Sequence, residues 1–481
     1  MDQSVNSSPK TSSAYVTGIC LIAALGGLLF GYDTAVINGA IGFLETHFSL
    51  NAVLKGWATS SALLGCVLGV SVAGVFSDWL GRKKTLVLAG ILFLVSSVAT
   101  AVPTAFWQFV VGRILAGVGV GVASMASPLY IAEVSPARFR GRLVSVNQLA
   151  IVSGMLVVYF VNYFIARQGD PAWQVHTAWR WMFASGIVPS AVFLGLLLLA
   201  PESPRWLLKQ GQADRAQGIL ARVDGPEYAA AALRQIQATL AQESGSVAQL
   251  FAPGLRRALG IGIALAILQQ VTGINVFLYF GTEIFKKLGS GVDAALLETV
   301  VVGAVNMLFT LVALGTVDRL GRRPLMVLGA TGMGIWLVAM GWVAGQPSPA
   351  VWALAFLLSY IACFAMSVGP VTWVILSEIF PTRIRGRAMS IATVCLWAAN
   401  FVVSQTFPML DENPVLVARF HHGFPFYLYA VFCVVLVLVM WRLVPETKGK
   451  SLEAIEAGWM HRALGTAATS ADRKPGPDSG Q

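Results

Sequence analysis

Charge is what this sequence has least of. Only 12% of its 481 residues are Asp, Glu, Lys or Arg, against about a quarter in soluble globular proteins. Hydrophobic residues make up 56% of the chain, and the mean hydropathy is +0.71. That balance excludes an ordinary water-soluble domain. Other absences narrow the chemistry. The polar, Ser-rich segment Met1 to Ser13 has neither the short apolar core nor the small-residue cleavage site of a signal peptide. The five cysteines (Cys20, Cys66, Cys363, Cys395, Cys433) all lie in apolar stretches, with no disulfide or metal spacing. Glycine is abundant, yet no Gly-x-x-x-x-Gly-Lys-Ser/Thr string is present, which excludes direct use of ATP through a phosphate-cradling loop. No His/Glu metal pattern and no nucleophile elbow occur. His421-His422 reads as a solvated loop pair. The expectation is a protein that is not an enzyme and needs no cofactor and no metal.

What remains is apolar sequence in runs of bilayer length. A helix needs roughly 20 apolar residues to cross the hydrocarbon. Such runs predict spans at 15–43, 55–77, 84–102, 106–132, 142–166 and 178–200, then 257–282, 295–317, 324–346, 350–379, 387–409 and 423–443. The division is a tail over 1–14, a six-helix half over 15–200, a polar linker with surface helices over 201–256, a second half over 257–443, and a Gly/Ser/Pro-rich tail over 444–481. The net charge is +10, and about 26 of the 33 Lys and Arg fall at one end of these spans. They cluster at Arg82-Lys83-Lys84, Arg138/Arg140/Arg142, Arg319/Arg322/Arg323 and Arg383/Arg385/Arg387. Positive charge in short loops marks the cytoplasmic face. This accounts for the basic balance without nucleic acid as a partner, and it places both termini in the cytoplasm.

The two halves are copies. Asp78-Trp79-Leu80-Gly81-Arg82-Lys83 matches Asp318-Arg319-Leu320-Gly321-Arg322-Arg323. Glu133-x-x-Pro136-x-x-x-Arg140-Gly141-Arg142 matches Glu378-x-x-Pro381-x-x-x-Arg385-Gly386-Arg387, and Pro201-Glu202 matches Pro445-Glu446. The offset is about 240–245 residues each time, as a duplication requires. An all-α membrane protein of twelve helices in two parallel six-helix halves, joined by a cytoplasmic helical linker, is the major facilitator architecture. Its cargo site lies at the seam near mid-membrane.

Polar residues inside the spans are the candidates for function, because each is costly there. Asp33 lies well inside the first span, and Arg113 in the fourth is the one basic residue placed within the bilayer. They read either as a static ion pair or as a carboxylate that binds and releases a proton beside its partner. The seventh span carries Gln269-Gln270-x-x-Gly273-x-Asn275-x-x-x-Tyr279. On a continuous helix, Gln269 and Gly273 share a face, with Gln270 and Asn275 flanking it. Amides donate and accept, as sugar hydroxyls do, and the run holds no charge. Phe30, Tyr279, Phe280, Trp373 and Trp397 supply rings for the apolar faces of a sugar. Trp373 follows Gly369-Pro370, where a break or kink is expected. Asp78, Arg82, Glu133 and Arg140, with their copies Asp318, Arg322, Glu378 and Arg385, are candidates for ion pairs that close the cytoplasmic end and part when it opens.

These strings resemble the sugar porter family of the major facilitator superfamily over about Tyr15 to Glu453. The resemblance rests on Gly-Gly-Leu-Leu-Phe-Gly-Tyr-Asp at 26–33 and on the paired Asp-x-x-Gly-Arg loops. It rests further on Pro128-x-Tyr130-Ile131-Ala132-Glu133, Pro201-Glu202-Ser203-Pro204-Arg205-Trp206, Gln269-Gln270-x-x-Gly273-x-Asn275, Gly369-Pro370-Val371-Thr372-Trp373 and Pro445-Glu446-Thr447-Lys448-Gly449. In detail it is similar to the bacterial sugar/proton symporters. The resemblance implies that Gln148, Gln269, Gln270, Asn275 and Trp373 contact the sugar, with Asn306, Trp397 and Asn400 as secondary positions. It implies that Asp33 couples the proton, with Arg113 beside it. Met155, Leu396 and Gly186 depart from the xylose-carrying member, which has polar side chains at those positions, and make a less polar pocket.

The expected function is inward symport of a monosaccharide, hexose or pentose, with a proton, across a bacterial inner membrane by a monomer. A passive sugar facilitator is the alternative. A sugar receptor on the same fold and an exporter of drugs or organic ions are more distant ones.

Overall fold

A computed structural model describes residues 11–136, 138–242, 255–346, 350–380, 384–446 and 448. Among these residues the chain is almost wholly helical and has no strand. Twelve helices are long and apolar enough to cross a membrane. We number them α1 (Ala14–Phe48), α2 (Ala52–Leu80), α3 (Arg82–Ala101), α4 (Phe106–Val134), α5 (Arg140–Ala166) and α6 (Pro171–Leu197). The second half holds α7 (Leu255–Lys287), α8 (Val292–Val317), α9 (Arg322–Val343), α10 (Trp352–Ile379), α11 (Arg385–Asp411) and α12 (Phe424–Arg442). All twelve expected spans are present. Between the halves, Pro204–Lys209 and Ala213–Gln242 are helical, the latter kinked at Asp224 and Gly225, where φ is 89°. The rest of the expected linker, 243–254, and the tail from 449 lie outside the described residues.

The ends of the spans differ from the hydropathy reading for local reasons. α6 begins at Pro171 rather than near 178, because Asp170 caps it by accepting from Trp173 N at 2.8 Å. Proline also suits the first helical position. A π-turn, Gln174–Ala178, absorbs the change of register that follows. A second π-turn, Phe364–Val368, lies in α10 just before Gly369-Pro370. The irregularity expected at Gly-Pro therefore falls one turn earlier, and α10 continues through Pro370 as helix.

The larger correction concerns α7, read from sequence as one continuous helix. It is broken: Leu255–Val271 and Ile274–Lys287 are separate helices meeting at Thr272-Gly273. Gly273 has φ 92°, a left-handed conformation, and a β-carbon there would sit 2.4 Å from the Tyr429 ring of α12. Only glycine satisfies both conditions. Broken backbone survives at membrane depth only where protein satisfies it. Here Tyr360 Oη of α10 donates to the Thr272 carbonyl at 2.9 Å.

The halves meet along α1 and the second segment of α7, α2 and α11, and α5 and α8. The hydrogen bonds and ion pairs seen across this seam run from mid-membrane to the end opposite the basic loops. Ser60 and Gln405 are 2.6 Å apart, Gln405 Nε2 donates to the Val53 carbonyl at 3.1 Å, and Lys55 Nζ lies 3.2 Å from Glu412.

Replacing Gly273 by Ala should lower the thermal unfolding temperature in detergent. The left-handed backbone alone costs an alanine about 1–2 kcal/mol. Adding Tyr429→Ala should recover the steric part of the loss and leave the backbone part. A Gly273→Ala protein as stable as the parent would show that the break does not need glycine.

Candidate functional site

The break in α7 brings its amides together differently from a continuous helix. Asn275 Nδ2 donates to Gln270 Oε1 at 2.6 Å, and Gln270 Nε2 donates to Gln269 Oε1 at 3.2 Å. Gln269 Nε2 ends the relay on the carbonyls of Val368 (3.3 Å) and Gly369 (3.0 Å), beside the π-turn of α10. Each carboxamide has two N–H donors and an oxygen that can accept twice. One donor of Gln270, one of Asn275, the Asn275 oxygen and one acceptor site on each glutamine oxygen are not used by the relay. Trp373, one turn further along α10, is partly buried. Asn400 of α11 donates to Tyr279 Oη at 3.4 Å and accepts from Ser404 Oγ at 3.2 Å. Trp397, one turn before Asn400, stacks at a tilt on Phe30 of α1 with ring centroids 5.5 Å apart. That contact joins the halves. Gln148 on α5 is partly buried, and Asn306 on α8 is buried.

Phe280 separates from this group. It is fully buried against Phe407 (5.2 Å) and lines a small gap with Lys55, Glu283 and Lys287 in the seam opposite the basic loops. The sequence reading counted it among the rings for a sugar, yet adjacent helical residues such as Tyr279 and Phe280 point about 100° apart.

The charged pair on the N-terminal side is closed. Arg113 of α4 is 1% exposed. Its Nη1 donates to the Asp33 backbone carbonyl at 3.1 Å and lies 3.4 Å from Asp33 Oδ2. The guanidinium also sits over the Phe183 ring, 5.6 Å from its centroid. The backbone carbonyl holds Arg113 whatever the charge of the Asp33 carboxyl.

At the basic end each half carries the same clasp. Arg82 donates to both carboxylate oxygens of Glu133 at 2.9 Å and to Asp78 at 3.2 Å, and Ser203 Oγ also donates to Glu133. Arg322 donates to Glu378 at 2.9 Å. Sequence reasoning matched Pro201-Glu202 to Pro445-Glu446 without a role, and the fold supplies one. Glu202 accepts from the backbone N–H of Arg82 (2.9 Å) and Lys83 (3.0 Å), and Glu446 from those of Arg322 (3.1 Å) and Arg323 (2.9 Å). Each carboxylate caps the positive N-terminus of α3 or α9. The preceding residues, Gly81 (φ 94°) and Gly321 (φ 90°), leave room for it. These clasps lie within the halves. Arg140 is exposed, and Arg385 donates to the Phe380 carbonyl at 3.4 Å. The sequence reading took all eight as ion pairs that part, but Arg82–Glu133 and Arg322–Glu378 are formed within each half. The Asp318 side chain and Pro381 lie outside the described residues.

Sequence reasoning missed the opposite end. Lys55, the first residue of the expected second span, was given no role, yet it is 3% exposed in the seam, 2.6 Å from Glu45 of its own half and 3.2 Å from Glu412 of the other. His422 is not a free loop residue. Its Nδ1 lies 3.2 Å from Asp411 Oδ1, and this hydrogen bond raises its pKa above the ordinary histidine value.

Comparison with known proteins agrees with this architecture. The family model "Sugar (and other) transporter" matches residues 19–459. The D-xylose-proton symporter of Escherichia coli K12 is 46% identical over 476 residues, covering 93% of this chain and 96% of its own. The arabinose-proton symporter of Bacillus subtilis is 42% identical over 451 residues, with 93% and 96% covered. A solved structure of the major facilitator superfamily proton:xylose symporter, bound to 6-bromo-6-deoxy-D-glucose, superposes with a TM-score of 0.80 at 46% identity. It covers 93% of this chain and all of its own. These relatives are transporters and not enzymes.

The Arg82–Glu133 clasp makes a testable claim about stability. Removing one partner strands a buried charge, at about 3–5 kcal/mol. Arg82→Met and Glu133→Gln should each destabilise the protein in detergent melts, and the double variant should lose clearly less than their sum. Strict additivity would mean that the two do not act as a unit. With the fold, the duplicated clasps and these matches in agreement, the chain belongs to the Sugar (and other) transporter family.

Proposed function

We propose that this protein carries a monosaccharide, hexose or pentose, into a bacterial cell together with a proton, by alternating access. The observation that carries the reading is a membrane-buried carboxyl–guanidinium pair on α1 and α4 together with an uncharged amide relay on the broken α7. Discontinuous helices mark cargo sites in transporters of this kind. An array of unspent amide donors and acceptors suits hydroxyls, and Trp373, Trp397, Phe30 and Tyr279 suit a sugar's C–H faces. Gln148, Asn306 and Asn400 are assigned to the same site from the other helices around it. The xylose and arabinose symporters among the relatives support the substrate class and the coupling.

Asp33 is assigned the proton. When it is protonated, Arg113 retains the Asp33 carbonyl as acceptor, so neutralising the carboxyl does not leave a bare cation in the bilayer. The basic loops are assigned to the cytoplasm by the positive-inside rule, with both termini on that side. The end of the seam that carries the Lys55–Glu412 pair is then assigned to the outer face. Arg140 and Arg385 are assigned to the cytoplasmic gate, whereas Arg82 with Asp78 and Glu133, and Arg322 with Glu378, are assigned to holding the loops within each half. The working unit is assigned as a monomer in the bilayer.

Proteoliposome uptake tests the reading. Radiolabelled glucose, galactose, xylose or arabinose should accumulate under an inward proton gradient, and a protonophore should abolish the accumulation. Asp33→Asn should lose uphill accumulation and keep exchange; retained accumulation would remove Asp33 from the coupling. Gln269→Ala should weaken sugar binding by roughly fivefold to a hundredfold, since it removes one amide and releases the relay behind it. Unchanged affinity, read by titration of intrinsic fluorescence, would move the site elsewhere.

A further inference from the structure

Arg113 has more donors than hydrogen-bond partners. A guanidinium carries five N–H groups. Nη1 serves the Asp33 carbonyl and Oδ2, whereas Nε is buried with no hydrogen-bond partner among the described residues. The rest of the cation meets α6. Its Cζ lies over the face of Phe183, 5.6 Å from the ring centroid. That is within the range at which the negative face of a ring attracts a cation, and the attraction grows as water is removed. Phe183 is 3% exposed, so little water competes. The ring is also held in place. Phe109, one turn before Arg113 on α4, meets it edge-on with centroids 5.1 Å apart. Trp179, one turn before Phe183 on α6, packs on Phe109 at 6.2 Å.

A second contact ties the same stretch of α6 to the other member of the pair. Ser185 Oγ spends its one proton on the Met182 carbonyl at 2.5 Å, so it accepts from Tyr32 Oη at 2.6 Å. Tyr32 directly precedes Asp33. This part of α6 therefore touches α4 at the arginine and α1 beside the aspartate, and it brings no charge to either. Arg180 is turned away, onto the carbonyls of Ala101 and Pro103. The other titratable groups near the pair are the Cys66 thiol of α2, close to both charges, and the Tyr279 phenol of α7, close to Arg113. We infer that Phe183 is a positioning residue for the coupling pair, whose ring keeps Arg113 in place while the Asp33 carboxyl gains and loses its proton. With Asp33 ionised, the cation is shared by carboxylate, carbonyl and ring. With Asp33 neutral, carbonyl and ring remain, and the ring carries the larger share. The inference rests on the assignment of the proton to Asp33, but its test uses neither sugar nor a gradient.

The test is pH-difference infrared spectroscopy of the full chain in detergent. It follows the C=O band of the protonated Asp33 carboxyl, recognised as the band that Asp33→Asn lacks. Phe183→Leu keeps an apolar side chain and removes the ring. The arginine then leans on the carboxylate, and the midpoint of the band should move to the acid side by about half a unit to one unit. Phe183→Met should do the same and serves if the leucine variant does not fold. Phe183→Tyr keeps an aromatic face and should keep the parental midpoint. Phe109→Leu loosens the same packing but spares the ring over the guanidinium, and it should leave the midpoint where it was. An unmoved midpoint in Phe183→Leu or Phe183→Met, or an equal shift in Phe109→Leu, would overturn the inference and leave the proton on Asp33. A protein with no Asp33 band at any pH would lose the proton assignment, and the inference with it.

Discussion

Hydrocarbon offers no hydrogen bonds, so every polar group placed at membrane depth must find its partner within the protein. That constraint organises the molecule. It explains why Arg113, the most buried arginine among the described residues, is held by both a carbonyl and a carboxylate. It also explains why the carbonyl freed at the α7 break is taken by Tyr360. The amides of α7 are not scattered but chained from Asn275 to the α10 backbone. Each arrangement satisfies most of these groups and leaves a remainder of polar capacity, Arg113 Nε among it.

The same rule divides the seam from the halves. Within each half the basic-end loops are clasped by a matched set, Arg82 with Glu133 and Glu202, and Arg322 with Glu378 and Glu446. These bonds hold each six-helix unit as a body. Across the seam the bonds described sit toward the other end, at Asn38, Ser60, Lys55 and Tyr159. Halves with strong internal clasps can rock without either losing its own structure. The broken α7 adds a second degree of freedom, because its outer segment hangs on the Gly273 turn at one side and on α1 at the other.

Much of this was legible in the residues. Twelve spans, the duplication and the basic end follow from hydropathy, repeated strings and loop charge, each a local property with a strong signal. Asp33 and Arg113 stood out because a charge in an apolar run is conspicuous. Asn38 and Tyr159 did not, since an isolated amide or phenol in a membrane helix has many ordinary uses. Lys55 was passed over for a related reason: it stands at a helix end, and burial there depends on α11 and Glu412 lying opposite. The α7 break had a visible cue in Gly273, yet glycine is common in membrane helices, and the Tyr429 ring that leaves no room for a β-carbon there comes from α12.

Covalent order was thus enough for which segments enter the bilayer, which end carries the positive charge, and which residue types pay a high cost for being there. These follow from the transfer of each side chain or segment into hydrocarbon, one at a time. Partnership required the fold. Whether Asn275 speaks to Gln270, whether Glu202 caps α3, and whether Asn38 grips α7 depend on distances of about 3 Å between groups far apart in the chain. Hydrogen bonding falls off within an ångström of that separation, so these contacts exist only once helix packing has set it.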